Sequence, residues 1–524
     1  MLKSLFSIAA FIFFISGYAQ QIDVQHYKFQ LELNDKSDII KGEAEIQLLL
    51  LTTLKEFSLD LVQGKEKGMI VSNVKGENVS GFRQENNKLI IALKKFNVDQ
   101  KQSIIINYSG VPSDGLIISK NKYGDRTFFS DNWPNRAHYW IPCNDVPNDK
   151  ASFEFIIIAP DHYQVVSNGV KFKEEVLQPN KKLTHWKEDV PLSTKVMVIG
   201  AARFAVKDFS DSPHQVPVSA WVYPQDSIKG FYDYGVAPQI VDFFSNYIAP
   251  FPYNKLANVQ SKTIFGGMEN ASAIFYAEES VTGNRKWEDV IAHEIAHQWF
   301  GDMASEKSFA HLWLSEGFAT YLTDIYIKSK YGEDSLKRRL EKERRDIIEF
   351  TATNHHPVVD STSNLMSLLN ANSYQKGSWV LHMLHASFGN EVFQKIIQSY
   401  YEAYKGGNAN TRDFEAVAEK VSGKDLKPFF DQWLYQPGIP LINVKWKYNV
   451  NTNELNIDFQ QATDYVFKFP LEILFVYEDG TKEVKLFNID RNKINTTIKN
   501  CKKPVQVIMD PDVNLLLSAK VAAL

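Results

Sequence analysis

The sequence predicts a multidomain α+β protein, and three observations support this prediction. The chain has 524 residues, which at about 150 residues per domain suggests roughly three domains. Apolar residues make up 44% of it and aromatic residues 13%, as in a folded globular protein. The spacing of apolar residues also changes along the chain, from period two to the period of a helix and back again.

Strands are predicted in the first part of the chain, from about 21 to 223. Apolar and polar residues alternate there in runs such as 27–33, 88–93 and 103–108, with Gly, Asn, Asp and Pro between the runs. This pattern is typical of half-buried strands, so we expect a β-rich N-terminal domain.

Helices are predicted in the middle of the chain, and strands return after it. The turn 436–440, with two prolines and a glycine, ends the helical pattern. The predicted helices are 231–248, 287–300, 312–331, 374–388, 392–404, 414–421 and 426–434. The strand-like runs after the turn are 442–448, 455–459, 471–477 and 505–509.

The first residues have the pattern of a secretory signal peptide. Lys3 precedes an apolar run, 5–15, and Gly17 and Ala19 place small residues before a cut after Ala19. An uncleaved N-terminal anchor is the alternative. We expect export to the periplasm or the cell exterior, with no stable membrane insertion after cleavage, because no later run resembles a membrane span. The expected domains are a signal peptide at 1–19, a β-rich domain at 20–225, a helical domain at 226–438 and a β domain at 439–524.

The charge of the chain argues against one class of partner, and its cysteine content argues against a disulfide. With 62 acidic and 58 basic side chains the net charge is −4, so nucleic acid is not an expected partner. The basic stretch 337–345 is interleaved with Glu341 and Glu343 and is interpreted as a solvated helix face. Cys143 and Cys501 are expected to be free thiols, since a chain of this size needs no disulfide.

The segment His293-Glu-Ile-Ala-His297 is the most informative motif in the chain. On a helix, positions i and i+4 share a face, so both imidazoles can bind one metal ion while Glu294 lies beside it. Two unrelated helix histidines are the alternative. The apolar neighbours Ile291 and Ile295 favour the metal site, because they predict a buried helix.

Zinc with two histidines needs a third protein ligand and an open position for water. Glu316 follows in an apolar, helix-compatible segment, 313–321, where an unpaired carboxylate would be costly. This order is the gluzincin arrangement; a salt-bridged Glu316 is the alternative. We therefore predict one Zn²⁺ per chain, bound by His293, His297 and Glu316. Glu294 is suited to act as a general base in hydrolysis of an amide or similar bond.

A second segment, Gly266-Gly267-Met268-Glu269-Asn270, occurs upstream of the zinc motif. With Tyr374-Gln-Lys-Gly377, Trp313-Leu-Ser-Glu-Gly-Phe318 and Ile141-Pro-Cys-Asn-Asp145, it makes the sequence resemble the aminopeptidase N and leukotriene A hydrolase family of zinc metallopeptidases. The resemblance implies a saddle-like β domain, a thermolysin-like zinc domain and a small β-sandwich-like domain. It also implies that the 266–270 segment is a substrate-binding edge strand.

The resemblance further implies roles for two side chains. Glu269 would hold the free α-amine of a peptide substrate, and Tyr374 would stabilise the oxyanion. The predicted function is therefore a zinc aminopeptidase that acts on peptides with a free N-terminus. A thermolysin-type endopeptidase and a catalytically silent peptide-binding protein are the alternatives. No oligomeric state is predicted.

The chain departs from the family pattern at three places. Trp133 stands where many members have a Gln or Glu that also contacts the amine, and Asp131 is a candidate substitute. Thr323 and Asp324 stand where members often have a glutamate, so Asp302 and Asp324 both remain candidates to orient a zinc ligand. We also expect this chain to lack the C-terminal helical domain of many relatives, which would leave the cleft less covered.

Overall fold

The computed structural model describes residues 21–95, 97–209 and 214–524; the predicted signal peptide lies outside them. The described residues before 227 form strands of four sheets, and one of these sheets continues into the helical region. The first strand, β1 Ile22–Glu32, shows why these runs form strands: Val24, Phe29 and Leu31 are fully buried while polar residues between them face out. The strands are β1 Ile22–Glu32, β2 Ile40–Leu50, β3 Glu56–Asp60, β4 Gly68–Lys75, β5 Val79–Glu85, β6 Lys88–Leu93, β7 Lys101–Val111, β8 Leu116–Lys120, β9 Arg126–Ser130, β10 Ala151–Ala159, β11 Gln164–Ser167, β12 Val170–Gln178, β13 Lys181–Leu192, β14 Ile199–Ala202, β15 Ala205–Phe209 and β16 Val218–Val222.

The largest sheet has seven strands in the order β12-β13-β10-β1-β2-β7-β4, and smaller sheets join β11-β14-β9-β8 and β3-β6-β5. β15 and β16 belong instead to a five-stranded sheet that contains strands of the helical region. That sheet therefore draws strands from both sides of the boundary expected at 225–226.

The described residues form eight α-helices, which lie in the same part of the chain as three strands of the five-stranded sheet. They are α1 Ser227–Tyr234, α2 Ala237–Tyr247, α3 Glu288–His297, α4 Trp313–Tyr331, α5 Glu333–Thr351, α6 Gly377–Tyr404, α7 Thr411–Ser422 and α8 Lys427–Leu434. The short strands among them are β17 Leu256–Ser261, β18 Gly267–Met268, β19 Ala273–Ala277, β20 Ser305–Glu306 and β21 Asn408–Ala409. The sheet order β15-β16-β17-β19-β18 leaves β18 at an edge.

Several helices differ from the predicted ones. The predicted helix 231–248 is two helices, α1 and α2, with Gly235 between them. The predicted helices 374–388 and 392–404 form one element, α6, which bends at Gly389, where φ is +74°. Tyr374 precedes it on a π-helical turn, Asn372–Lys376.

The interpretation of 337–345 as a solvated face is wrong for two of its residues. The segment lies in α5, a helix absent from the predicted set. Arg339 pairs with the buried Asp324 of α4, and Glu343 is only 6% exposed. Residues three and four apart share a helix face, so both Arg339 and Glu343 turn towards α4.

Two sheets form the last part of the chain, which confirms the predicted β tail. Their orders are β26-β23-β22-β28 and β25-β24-β27. The strands are β22 Leu441–Asn449, β23 Glu454–Gln461, β24 Phe469–Tyr477, β25 Lys482–Ile489, β26 Lys493–Ile498, β27 Pro504–Met509 and β28 Ser518–Ala523. One apolar core runs from the helices into this tail, whereas a second fills the β-rich region.

Two smaller expectations concern cysteines and the membrane. Cys143 and Cys501 are both unpaired, as predicted, and Cys143 is buried. In the described parts of the chain, none of the helices combines the length and the apolar character needed to cross a bilayer.

Candidate metal centre and active site

The two histidines of the motif lie on α3 and converge with Glu316 of α4. The Nε2 atoms of His293 and His297 are 3.0 Å apart, and Glu316 Oε2 lies 3.3 Å from the first and 3.2 Å from the second. Three donors therefore meet at one point, and they are the only such group of His, Cys, Asp and Glu within the described ranges.

The α3 helix is built to hold this pair in place. Ile291 and Ile295 are fully buried and fix one face against the core, so the histidine face meets α4. Glu288 and Asp289 lie in its first turn and His297 in its last, an order that complements the helix dipole.

The surroundings of His297 fit a metal ligand. Its Nδ1 lies 3.1 Å from the carbonyl oxygen of Phe300 and 3.1 Å from Ser315 Oγ. When Nδ1–H donates to a carbonyl, Nε2 keeps its lone pair for a metal ion. Glu316 is 3% exposed; burial would raise the pKa of its carboxyl, but His297 and His293 hold that pKa well below its usual value. Two imidazoles and an ionised carboxylate are a donor set that zinc favours.

Among the described residues, neither candidate aspartate has a carboxylate that hydrogen-bonds to an imidazole of the triad. Asp302 accepts a hydrogen bond from Gln298 Nε2 at 3.0 Å, and Asp324 pairs with Arg339. The sequence left this choice open, and the orienting groups are a backbone carbonyl and a serine. Ser315 is adjacent to Glu316, which is the only signal that pointed to it.

Glu294 lies beside the triad, as its position between the histidines predicts. It is 5% exposed, and burial raises the pKa of its carboxyl well above the usual value, opposed by His297. Gly267 packs against it: a Cβ at Gly267 would lie 2.3 Å from Glu294 Oε1. A side chain at position 267 would therefore displace the carboxylate.

The 266–270 segment runs along α3 at the edge of the five-stranded sheet. At the start of α3, a Cβ at Gly266 would lie 3.2 Å from the Trp287 ring. At the end of α3, Gln298 Nε2 donates a hydrogen bond of 2.8 Å to the carbonyl oxygen of Glu269. Among the described strands β18 pairs only with β19, so its outer side can accept an extended peptide.

The side chains of this segment point in different directions. Glu269 and Met268 line the same cavity as the triad, but Asn270 does not. Glu269 is 5% exposed and burial raises the pKa of its carboxyl; its Oε1 atom has no hydrogen-bond partner among the described residues. A buried carboxylate oxygen without a partner is costly unless a ligand supplies one. Asn270 is fully buried behind the strand.

Tyr374 closes the other side of the triad. Its ring stacks on His293, with centroids 5.9 Å apart and the planes 14° apart. It lines the cavity with the triad, Glu294 and Glu269. The structure therefore brings together all the predicted site residues except Asn270.

The cavity has a volume of about 460 Å³. Its apolar lining includes Trp133, Phe265 and Leu369. Its charged lining includes Asp289, in the first turn of α3, and the α5 residues Arg339, Lys342 and Glu343. Sequence reasoning missed the second group, because nothing local placed α5 beside the zinc helix.

Asp131 does not replace the second amine contact. It is fully buried, and its carboxylate binds Arg136 Nη2 at 2.5 Å and both Thr263 Oγ1 and the Ile264 amide at 3.0 Å. Both of its carboxylate oxygens have partners in these loops, and it is not on the cavity wall. Trp133 is on the wall instead.

Comparisons with known proteins agree with this geometry. A family model described as "Peptidase M1 N-terminal domain" matches residues 23–196, and one described as "Peptidase family M1 domain" matches residues 232–433. Together these two models of one family cover most of the chain. The chain belongs to peptidase family M1.

Curated relatives and a solved structure extend the comparison. The chain is 28% identical to a probable aminopeptidase 2 of Sulfurisphaera tokodaii, over 86% of this chain and 59% of the relative. It is 29% identical to glutamyl aminopeptidase of Rattus norvegicus, over 68% of this chain and 40% of that enzyme. The crystal structure of Legionella pneumophila aminopeptidase A with aspartic acid superposes with a TM-score of 0.83 at 18% identity, covering 96% of this chain and 60% of that one. It shows the same fold. The chain spans about half of the length of the curated relatives named here.

Proposed function

We propose that this protein is a zinc aminopeptidase that removes the N-terminal residue from peptides. One observation carries the proposal: the metal-binding triad, Glu294 and the unpartnered Glu269 carboxylate line a single cavity beside an open strand edge. A metallopeptidase that cuts inside a chain has no use for a buried carboxylate where the substrate amine would lie. The names of the relatives point to the same class of reaction.

One zinc ion would be held by His293 Nε2, His297 Nε2 and Glu316 Oε2. Bound there, it supplies Lewis-acid chemistry, because zinc polarises carbonyl groups and lowers the pKa of water.

The side chains of this chain then divide the remaining work. Glu269 binds the substrate ammonium and sets the distance from the N-terminus to the scissile bond. Glu294 accepts a proton from the attacking water and passes it to the leaving amine. Tyr374 donates its hydroxyl hydrogen to the oxyanion of the tetrahedral intermediate. The outer side of β18 holds the peptide backbone in an extended form.

A panel of fluorogenic aminoacyl substrates, run with and without a chelator, tests this proposal. We expect release of the fluorophore, loss of activity on chelation and recovery when zinc is added back. If the protein binds zinc but hydrolyses none of these substrates, the result would favour the alternative of a catalytically silent peptide-binding protein. Equal hydrolysis of free and acetylated peptides would indicate an endopeptidase.

We also propose that the protein is exported, to the periplasm or the cell exterior. The support is the charged start, the apolar run 5–15 and the small residues Gly17 and Ala19. N-terminal sequencing of the protein from fractionated cells should show a chain that starts at residue 20 outside the cytoplasm. A chain that keeps Met1 would contradict cleavage.

A further inference from the structure

We infer that Gln298 is a positioning residue for recognition of the substrate amine. Its side-chain amide, held by Asp302, fixes the backbone of Glu269 relative to the metal-binding triad. This inference rests on the proposed aminopeptidase function and deepens it. It gives a role in recognition to two residues, Gln298 and Asp302, that are not on the cavity wall.

Gln298 lies at the C-terminal end of α3, directly after His297, and is fully buried. Its Nε2 donates hydrogen bonds to the carbonyl oxygen of Glu269 at 2.8 Å and to Asp302 Oδ2 at 3.0 Å. Its Oε1 accepts a hydrogen bond from the backbone amide of Ser272 at 2.7 Å. A peptide carbonyl only accepts and a peptide N–H only donates, so these partners fix which way the amide points. One side chain of α3 therefore holds Glu269 and Ser272 together.

The direction of the Glu269 side chain depends on this backbone contact. The pairing of β18 with β19 covers Gly267 and Met268 and ends before Glu269. The Oε1 atom of Glu269 has no hydrogen-bond partner among the described residues, so no bond to that atom orients the carboxylate. Because Gln298 holds the carbonyl oxygen of Glu269, it fixes the peptide plane that follows Cα and restricts where the side chain can lie.

Asp302 keeps the Gln298 amide in place. Its Oδ2 accepts the second Nε2 hydrogen of Gln298, and its backbone amide donates to the carbonyl oxygen of His297 at 3.1 Å. Asp302 is fully buried, and among the described residues its Oδ1 atom has no hydrogen-bond partner. Buried polar groups that lack partners lower stability, and such departures are expected at functional sites.

The spacing between Glu269 and the triad decides which bond is cut. In the proposed reaction the ammonium lies at Glu269 and the scissile carbonyl at the triad, and one extended residue between them spans only about 3.3 Å. A shift of about 1 Å in such a geometry can cost on the order of a hundredfold in rate. Gln298 sets this spacing because it ties the Glu269 backbone to the residue that follows His297.

A double variant tests the inference by steady-state kinetics on the zinc-loaded, full-length protein. Gln298→Glu keeps the size of the side chain and the acceptor for Ser272 but loses both donors. For the fluorogenic aminoacyl substrate that the wild type cleaves fastest, kcat/KM should fall at least about tenfold, mainly through KM. In the Glu269→Ala background the same substitution should lower kcat/KM less than about threefold, because the carboxylate that Gln298 positions is gone. Gln239→Glu, the same change at an exposed position of α2, is the control.

Variants of Asp302 keep the inference testable if Gln298→Glu does not fold. Asp302→Ala removes the acceptor that holds Gln298, so kcat/KM should fall about threefold to tenfold, again mainly through KM. Asp302→Asn keeps an oxygen acceptor and should lose less than Asp302→Ala. Zinc content should equal that of the wild type in every variant.

The outcomes separate this inference from the proposed function. If Gln298→Glu loses zinc, or lowers kcat/KM by the same factor with and without the Glu269 carboxylate, Gln298 acts through the triad or the fold. The inference is then wrong and the aminopeptidase function stands. The same conclusion follows if Gln298→Glu and Asp302→Ala both match the wild type. A wild type that cleaves acetylated peptides as fast as free ones would overturn the proposed function and the inference with it.

Discussion

The two walls of the cavity come from different parts of the chain and contribute different properties. The helical wall, α3 and α4 with Tyr374, holds the groups proposed to carry out the reaction. The opposite wall, made by the 266–269 strand and the loop that carries Trp133, holds the groups proposed to recognise the substrate. Chemistry depends on atoms placed within a hydrogen-bond length, and a pair of buried helices holds them rigidly. Recognition depends on the shape and charge of a surface, which can change without disturbing the triad.

The largest effect on turnover should come from the helical wall, at Glu294. Glu294→Gln keeps the size of the side chain but removes the proton acceptor, so kcat should fall by a factor of about 1,000 to 10,000. Zinc content, measured on the purified variant, should not change. Glu279→Gln, at an exposed position just before α3, is the control. Substantial turnover by the Glu294→Gln variant would show that Glu294 is not the general base.

Tyr374→Phe should give the next largest effect. The variant loses one oxyanion donor but keeps the ring that stacks on His293. We expect kcat to fall about a hundredfold with KM nearly constant, as steady-state kinetics would show. The exposed Tyr232 offers a control in Tyr232→Phe. A rise in KM alone would instead assign Tyr374 to binding.

Glu269→Ala tests the recognition wall. Removing a charge-assisted contact to the ammonium should lower kcat/KM for free-amine peptides by about 10- to 100-fold. Acetylated peptides, which lack that charge, should be hydrolysed as slowly by the variant as by the wild type. A variant that still discriminates between the two peptides as strongly as the wild type would show that the amine is bound elsewhere.

The smallest effect on turnover, and a large effect on stability, is expected at the contact between the β-rich region and the helical region. Lys195 of the β-rich region is 1% exposed and lies 2.5 Å from Glu306 of β20, which is fully buried. Lys195→Met leaves that carboxylate unpaired, which should cost about 3 to 5 kcal/mol of unfolding free energy. Chemical denaturation measures this loss, and kcat of the folded variant should change less than about threefold.

A double variant separates the ion pair from simple packing. Adding Glu306→Leu to Lys195→Met removes the unpaired charge and should recover much of the lost stability. A single variant as stable as the wild type would mean that the pair does not hold the two regions together.

The sequence predicted the helical wall far better than the opposite one. His293, Glu294 and His297 are local: a spacing of four residues on a helix fixes their relation, whatever the rest of the chain does. Predicting Glu316 as the third ligand required one further argument, namely that a carboxylate in an apolar helix requires a partner. The order of β-rich, helical and β regions also followed from periodicity alone.

The features that the sequence could not predict depend on contacts between distant segments. Trp133 lies on the cavity wall in a loop that Asp131 joins to residues 263–264, more than a hundred positions away. Arg339 and Glu343 belong to a helix whose charged sequence resembles a solvated surface. The face that carries them nevertheless packs towards α4, where Arg339 pairs with the buried Asp324. The split at Gly235 is different, because Pro238 in the first turn of α2 is a local signal that ends the preceding helix.

The most direct test of the central claim uses one peptide in two forms, with a free and an acetylated N-terminus. Zinc-loaded protein is incubated with each peptide, and mass spectrometry follows the products over time. We expect stepwise loss of single residues from the N-terminus of the free peptide, no cleavage of the acetylated one, and no cleavage of either in chelator. Internal cleavage of both peptides at similar rates would contradict the assignment of Glu269 to the substrate amine, and with it the aminopeptidase function.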